Sequence, residues 1–205
     1  MKSIAASLAL IMLMASPAAA TSTDAFSSSD LSHYTEGGPG NWYVTGGRLA
    51  HTYSSNLGSV ELVRSADSPA AEADLTLSDG RSNAGLTVLW KDHSNHLWAK
   101  LEITPGNPNG RMTIGRRAAG NVKSCLACSG VSLHRGETYH ISLEVVDGVA
   151  TFSATGVTVT FSKAIAYRLT STDLNAFGSG SKAGVRGKYL FDEDGGGSRW
   201  DNLKV

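Results

Sequence analysis

The segment that decides the fold runs from Leu86 to Glu102 and reads LTVLWKDHSNHLWAKLE. Apolar and polar residues alternate on both sides of the DHSN tetrapeptide at 92–95, as they do in two antiparallel strands joined by a short loop. A four-residue loop would pair Trp90 with Leu97 and separate two faces. The face expected in the core carries Leu86, Val88, Trp90, Leu97, Ala99 and Leu101. The opposite face carries Thr87, Leu89, Trp98, Lys100 and Glu102.

Alternation with a period of two continues along most of the chain, in about a dozen short segments bounded by Gly, Asn, Asp and Ser residues. One hairpin is marked by Gly46-Gly47, because glycines adopt the positive φ angles of a tight turn. The pattern predicts an all-β protein made of two stacked antiparallel sheets. A short helix is expected only within residues 164–177, where Ser171, Thr172 and Asp173 are suitable capping residues.

The composition narrows the classes of partner. The chain has 205 residues, with 18 Lys+Arg against 18 Asp+Glu and therefore a formal net charge of zero. Binding to nucleic acid or to an anionic membrane surface depends on clustered basic residues, which are spread thinly here. No apolar run after the N-terminal segment reaches the roughly 18 residues of a membrane helix. We expect one monomeric globular domain that holds a partner by shape and hydrogen bonds.

The N-terminal segment, residues 1–20, has the features of a secretory signal peptide. Lys2 supplies the positive region, residues 4–14 form the apolar core, and Ala18-Ala19-Ala20 is a small-residue cleavage site. A membrane anchor is the weaker interpretation because the apolar stretch is short. We therefore expect periplasmic or extracellular localisation of a mature domain, residues 21–205.

The chain has 2 cysteines, Cys125 and Cys128, in a segment without a helical period. In an oxidising compartment the favoured interpretation is a disulfide that staples a loop. A redox dithiol would need a helix after the first cysteine. Zinc would need two more ligands, and His134 is the only nearby candidate. His93 and His96 share one hairpin loop but also lack further zinc ligands, so we expect them to be solvated.

A polar face with aromatic and charged residues is the candidate binding surface. Sugar rings pack their flat C–H faces on aromatic rings, and their hydroxyl groups need hydrogen-bond donors and acceptors. Trp98 is the expected aromatic platform, and Arg111 and Arg117 have the planar donors that suit the carboxylate of an acidic sugar. Trp42 and Trp90 are expected to be buried packing residues. The further expected ligands are Lys100, Glu102 and His140.

Several landmarks follow one another in a characteristic order: the entry Asp24-Ala-Phe26, the Asn41-Trp42 strand, the hairpin at 84–95, the Ala183-Gly184-Val185-Arg186 strand and the ending at 199–205. This order resembles the concanavalin A-like lectin/glucanase superfamily, in particular the laminin-G-like jelly rolls of exported bacterial proteins. The resemblance implies a jelly-roll β-sandwich whose concave sheet binds a polysaccharide, whereas activity varies widely on such folds.

The resemblance also bears on metal and catalytic residues. Related jelly rolls often hold a structural calcium between an early acidic residue and the Asp of the closing strand, which correspond here to Asp24 and Asp201. No other cofactor is expected. Jelly-roll glucanases carry a Glu-x-Asp-x-x-Glu strand, which this sequence lacks. Alginate-lyase-like members use Gln, His and Tyr, and this chain contains no Gln.

Three function classes follow from these observations. The leading hypothesis is a secreted or periplasmic carbohydrate-binding domain. The second is a polysaccharide lyase or glycoside hydrolase, with His140, Glu144 and Arg111 as catalytic candidates and Tyr189 as another possible base. The third is an envelope or matrix interaction domain that recruits a protein partner through an apolar patch or an edge strand.

Overall fold

The computed structural model describes residues 23–38, 40–52, 59–78, 81–104, 107–177, 180–188 and 197–205. The predicted signal peptide and Tyr189 lie outside these residues. The described residues form 15 strands and one helix. The strands are β1 (Thr23–Asp24), β2 (Thr35–Gly37), β3 (Asn41–Thr45), β4 (Arg48–Thr52), β5 (Val60–Ser65), β6 (Ala70–Thr76), β7 (Ser82–Asp92), β8 (Asn95–Thr104), β9 (Asn107–Ala118), β10 (Asn121–Ser132), β11 (Thr138–Val146), β12 (Val149–Gly156), β13 (Ser162–Arg168), β14 (Lys182–Gly187) and β15 (Arg199–Lys204). The helix α1 is Ser171–Phe177.

The strands form two antiparallel sheets that pack as a jelly-roll β-sandwich. Sheet A has the order β13-β12-β11-β6-β15-β4-β3, with β1 paired to β15, and sheet B has the order β10-β9-β8-β7-β14-β5-β2. Hairpins join β7 to β8, β8 to β9 and β11 to β12, whereas β14 pairs with β5 and β7, which are distant in the sequence. The predicted fold class is confirmed.

Alternation along the strands buries one face of each sheet in a common core, as predicted. On β11, for example, Tyr139, Ile141 and Leu143 are fully buried. Trp200 of sheet A is also fully buried, and its Nε1–H donates to the carbonyl oxygen of Gly85 in sheet B over 3.1 Å. This hydrogen bond joins the two sheets through the core.

The hairpin between β7 and β8 differs from its predicted register by two residues. Val88, rather than Trp90, lies opposite Leu97. The cause is a bulge between Val88 and Asp92, in which Leu89 has a φ of 51°. A slip of two residues preserves the side chains' faces, so the predicted core face before the bulge is still correct.

Both tryptophans that were predicted to be buried are buried, but in different places. Trp42 packs in the core against Trp200, with ring centroids 5.4 Å apart. Trp90 lies within the β7 bulge, on the outer face of sheet B. Its ring packs closely on Gly37 next to Glu61: a Cβ added at Gly37 would lie 3.3 Å from the Trp90 ring and 3.0 Å from the Glu61 carboxylate.

The helix is shorter than the segment predicted to contain it. Strand β13 occupies the first half of that segment, and residues 157–161 before it are irregular. Thr170 is the N-cap, since its hydroxyl accepts the Asp173 N–H at 3.3 Å and the Asp173 carboxylate accepts the Thr170 N–H at 2.8 Å. In the part of the chain described, no helix is long and apolar enough to span a membrane.

Acid is expected to destabilise the fold through its buried histidines. Burial lowers the pKa of His51, which packs between Trp42 and Trp200, from 6.5 to about 4. Between these two values the unfolded chain binds a proton that the folded chain does not bind, so stability is retained above pH 6.5 and lost as the pH falls towards 4. Urea denaturation should show this loss, and the non-titrating His51→Gln should reduce its pH slope. The control is His140→Gln, at an exposed histidine. If the free energy of unfolding depends on pH equally in His51→Gln and in this control, the account is contradicted.

Candidate functional site

The outer face of sheet B is buried at its centre, although such faces of antiparallel sheets are commonly solvated. Buried polar and charged side chains converge here from five strands, β5, β7, β8, β9 and β14. They are Glu61, Thr87, His96, Lys100, Thr113 and Arg186. Strand register places Lys100 and Arg186 on either side of Gly85, and Arg186 opposite Glu61. The folded chain therefore concentrates charge at this place.

Glu61 lies at the centre of this region and is 0% exposed. The Ser59 hydroxyl donates to its Oε1 at 2.6 Å, and His93 Nδ1–H donates to its Oε2 at 2.7 Å. Arg186 Nε lies 3.8 Å from Oε1. Burial alone would raise the pKa of Glu61, but the hydrogen bonds from His93 and Ser59 and the charge of Arg186 outweigh it and lower the pKa. Glu61 is therefore an ionised, buried carboxylate.

His93 connects Glu61 to Arg117. The Arg117 guanidinium donates to His93 Nε2 and, over 3.1 Å, to the His93 carbonyl oxygen. Because Nε2 accepts a hydrogen bond, the ring proton sits on Nδ1, which is the atom that donates to Glu61. One buried carboxylate thus orients an arginine on a strand four positions away in sheet B.

His96 forms part of the same region and is buried, so the prediction that it is solvated is wrong. Its Nδ1–H donates to the Asp92 carbonyl oxygen at 3.2 Å, which leaves Nε2 unprotonated. Burial outweighs the opposing charge of Glu61 and, with the smaller effects of the Arg186 and Arg117 charges, lowers the pKa of His96 to about 4. At neutral pH the ring is uncharged, with Nε2 3.7 Å from Glu61 Oε1.

Trp98 lies under this cluster of side chains and not on an open surface. It is 2% exposed, the Arg186 guanidinium carbon lies 4.4 Å from its ring centroid, and Lys100 Nζ lies 5.5 Å away. A Cβ at Gly115 would approach the indole Cζ2 to 2.2 Å, so the ring packs directly on the backbone of β9. The indole therefore supports two cations and does not present an open platform to a sugar.

A cavity of about 260 Å³ opens on this outer face, and we call it the sheet B cavity. Its lining residues are Ser59, His96, Trp98, Arg117, Val122, Arg186 and Lys188. Arg117 comes from β9 and Arg186 from β14, with the strand that carries Trp98 between them. The cavity thus combines hydrogen-bond donors, positive charge, an indole and an uncharged imidazole.

Two other cavities formed by described residues, each of about 270 Å³, lack this combination. One is lined by 66–69, Leu89 and 180–182, and the other contains Arg48 and Arg199. None of the charged residues that line them is buried. The sheet B cavity is therefore the candidate functional site.

The structure brings some of the predicted binding residues together. Trp98 and Arg117 line the cavity. Lys100 lies beside Trp98 and donates from Nζ to Glu102 Oε2 at 2.9 Å, while burial lowers the pKa of Lys100 to about 8. Arg111 lies opposite Glu102 on β9, exposed and outside the cavity lining.

The structure separates the other candidates from this group. His140 and Glu144 are on β11 in sheet A, whereas Arg111 is on β9 in sheet B. The His140 side chain is 48% exposed, and its Nδ1 lies 2.9 Å from Asp74 Oδ1. A single active site that combines His140 with Arg111 is therefore ruled out by the assignment of their strands to different sheets.

The acidic residues implied as calcium ligands have other partners. Asp24 Oδ1 accepts the Phe26 N–H at 2.7 Å, and Oδ2 accepts the Tyr34 hydroxyl at 3.0 Å. Asp201 Oδ1 accepts the Asn202 N–H at 2.8 Å. Among the residues described, no three His, Cys, Asp or Glu side chains form a group that would hold a metal ion. Calcium also takes backbone carbonyl oxygens as ligands, so the site at Asp24 and Asp201 stays a prediction.

The cysteine pair is disulfide-bonded, with the Cα atoms of Cys125 and Cys128 5.8 Å apart. The prediction that this pair lies in a loop is wrong, because the segment belongs to β10, an edge strand of sheet B. Its pairing with β9 shifts between Lys123 and Ala127, and the disulfide closes this irregularity.

Sequence reasoning missed much of the cavity. Glu61 alternates with the buried Val60 and Leu62 in β5, and Arg186 follows the buried Val185 in β14, so alternation already suggests that both point away from the core. The missing information is that β5 and β14 pair and bring Glu61 opposite Arg186. The other missed residues are Ser59, His93, His96 and Lys188.

No family model matches the sequence, and no curated protein matches it. The CBM2 module of the evolved Dit of Lactobacillus casei BL23 phage J-1 is similar at a TM-score of 0.60 and 8% identity, covering 89% of this chain and 92% of the module. The lectin UEA-II, complexed with galactose, has a TM-score of 0.57 at 12% identity, covering 89% of this chain and 97% of the lectin. The enzymatically active domain of bacteriophage CBA120 tailspike protein 2 has a TM-score of 0.51 at 13% identity, covering 82% of this chain and 27% of that protein. This chain therefore has a β-sandwich fold that lectins and carbohydrate-binding modules also adopt.

Proposed function

We propose that this protein binds a carbohydrate in the sheet B cavity, and that it does so in the periplasm or outside the cell after the predicted signal peptide is removed. The observation that carries the proposal is a cavity of about 260 Å³ whose wall carries the hydrogen-bonding side chains of Ser59, Arg117, Arg186 and Lys188. The hydroxyl and ring oxygens of a sugar accept hydrogen bonds from such donors.

The fold adds support of a more general kind. Two similar structures are described as a lectin with galactose and as a CBM2 module. One fold carries many functions, so the ligand class is inferred for this chain from the cavity and not from the fold alone. The cavity is slightly smaller than the roughly 300 Å³ at the lower end of typical small-molecule sites, so we expect it to hold one sugar unit of a longer chain.

Cleavage of a polysaccharide is the second candidate function, and His96 is the observation that favours it. Its ring is uncharged at neutral pH, and the residue lines the cavity. A neutral imidazole in that position has the form required of a general base. The residue proposed for this role is therefore His96 in place of His140.

The location of the site is tested with two exposed valines. Val122 lines the cavity and is 53% exposed, whereas Val157 is 59% exposed and does not line it. Val122→Trp should fill the cavity mouth and weaken glycan binding by about tenfold or more, since most of an interface's binding energy resides in a few central contacts. Val157→Trp should bind like the wild type.

The measurement is a pull-down and calorimetric titration of the purified protein against a panel of neutral and acidic polysaccharides, with product release read in the same samples. Retention without products supports the binding function. New reducing ends or unsaturated products that disappear in His96→Gln support the cleavage function. Absence of binding to every glycan, or equal effects of the two valine substitutions, would contradict the proposal.

A further inference from the structure

We propose that the sheet B cavity recognises an oxyanion, a carboxylate or a sulfate group, carried by an acidic sugar. This inference rests on the proposed function and names the class of its ligand. It is carried by the charges around the cavity and by the way in which Glu61 fixes two of them.

The cavity lining is positive even though the chain as a whole has a net charge of zero. Among the residues that the structure describes, Arg117, Arg186 and Lys188 contribute to the lining, and no carboxylate does. The carboxylate nearest to them, Glu61, is fully buried and accepts hydrogen bonds from Ser59 and His93. A partly enclosed site with cations at its wall concentrates positive potential and attracts anions.

The two arginines are held in position before any ligand binds. Arg186 stacks on Trp98 at 4.4 Å and contacts Glu61 at 3.8 Å. Arg117 is held by the ring and the carbonyl oxygen of His93, and His93 is held in turn by Glu61. Glu61 is thus the positioning residue for both guanidinium groups.

Such an arrangement suits an oxyanion more than a neutral sugar. A guanidinium group presents its N–H donors in a planar fork that matches a carboxylate or sulfate. Because the side chains are already ordered, binding costs less conformational entropy than it would with free arginines. The strand that carries Trp98 lies between β9 and β14, so the two arginines approach the cavity from two sides.

The first test compares ligands that differ only in charge. The probes are an oligogalacturonate and its methyl ester, and a sulfated oligosaccharide and its desulfated form, titrated by calorimetry. We expect the acidic member of at least one pair to bind about tenfold or more tightly than its neutral form at about 50 mM NaCl, and the difference to shrink at about 500 mM.

The second test compares two arginines on the same face of β9. Arg117→Ala should lower the affinity for the acidic probe by about tenfold. Its affinity for the neutral probe should stay within about twofold of that of the wild type. Arg111→Ala is the matched control and should bind like the wild type, since Arg111 does not line the cavity. Melting curves of both variants check that the fold is intact.

A third test separates the anion site from glycan binding. Inorganic sulfate should raise the melting temperature of the wild type and of Arg111→Ala more than NaCl of equal ionic strength does, and this increment should be smaller in Arg117→Ala, where only the general stabilising effect of sulfate remains. An increment that depends on Arg117, without binding of any oligosaccharide, would support the anion site and contradict the proposed function. Equal affinity for acidic and neutral probes would overturn the anion inference and leave carbohydrate binding in place. Absence of binding to sulfate and to every probe would overturn both.

Discussion

Replacing Glu61 with glutamine is expected to lower the free energy of unfolding by about 3 kcal/mol, because removal of one partner from a buried ionic network leaves the other charges uncompensated. Glutamine keeps the shape of the side chain but not its charge. Arg186 would then lie 3.8 Å from a neutral amide. His93 would still find a hydrogen-bond acceptor, so charge and not packing is what the substitution removes. Urea denaturation at neutral pH measures the effect.

Glu102→Gln is the control for this substitution. Glu102 also accepts a hydrogen bond from a cation, Lys100, but its side chain is 27% exposed. Solvent screens such a pair, and we expect a loss below about 1 kcal/mol. Equal losses in the two variants would mean that Glu61 is not the centre of the network described above.

Replacing Trp200 with alanine is expected to cost about 4 kcal/mol, since large-to-small substitutions of buried aromatic residues leave cavities that the surroundings fill only in part. Trp200 is fully buried against Trp42, and it also donates the hydrogen bond to Gly85 that joins the two sheets. Domains of this kind are stable by only about 5–15 kcal/mol, so the variant should unfold at a much lower urea concentration.

Two further variants separate packing from hydrogen bonding at this position. Trp200→Phe retains most of the packing and loses the N–H donor, and we expect it to be intermediate, with about 1 kcal/mol attributable to the lost hydrogen bond. Val157→Ala, at an exposed position, should change stability by no more than about 0.5 kcal/mol. A loss from Trp200→Ala as small as that of Val157→Ala would contradict the assignment of Trp200 to the core.

Alternation in the sequence predicts which residues face the core, because side chains of a strand point to the two faces in turn. It predicts Leu97, Ala99 and Leu101 correctly, and they are fully buried. Register is harder to predict. The bulge at Leu89 requires a positive φ in a residue other than glycine, and no residue type in that segment signals it.

The local sequence pattern of a strand does not indicate which of the two sheets the strand joins. The strands of His140 and Arg111 have similar alternation, and yet β11 pairs with β6 and β12 in sheet A, while β9 pairs with β8 and β10 in sheet B. Those pairings depend on contacts between distant parts of the chain. For this reason the sequence identifies polar faces but does not show which faces are shared.

The same limit applies to the candidate site. Trp98 and Arg117 were predicted because their own strands alternate clearly, and both line the cavity. Glu61 and Arg186 become neighbours only when β5 pairs with β14. The sequence places His96 in a hairpin loop and so predicts it to be solvated, whereas in the structure it is buried.

A crystal structure of the protein with a glycan that it retains tests the central claim most directly. We predict that the glycan lies in the sheet B cavity, with its acidic group between Arg117 and Arg186 and next to Trp98. A glycan bound on the outer face of sheet A, near His140, or at any place outside this cavity would contradict the account.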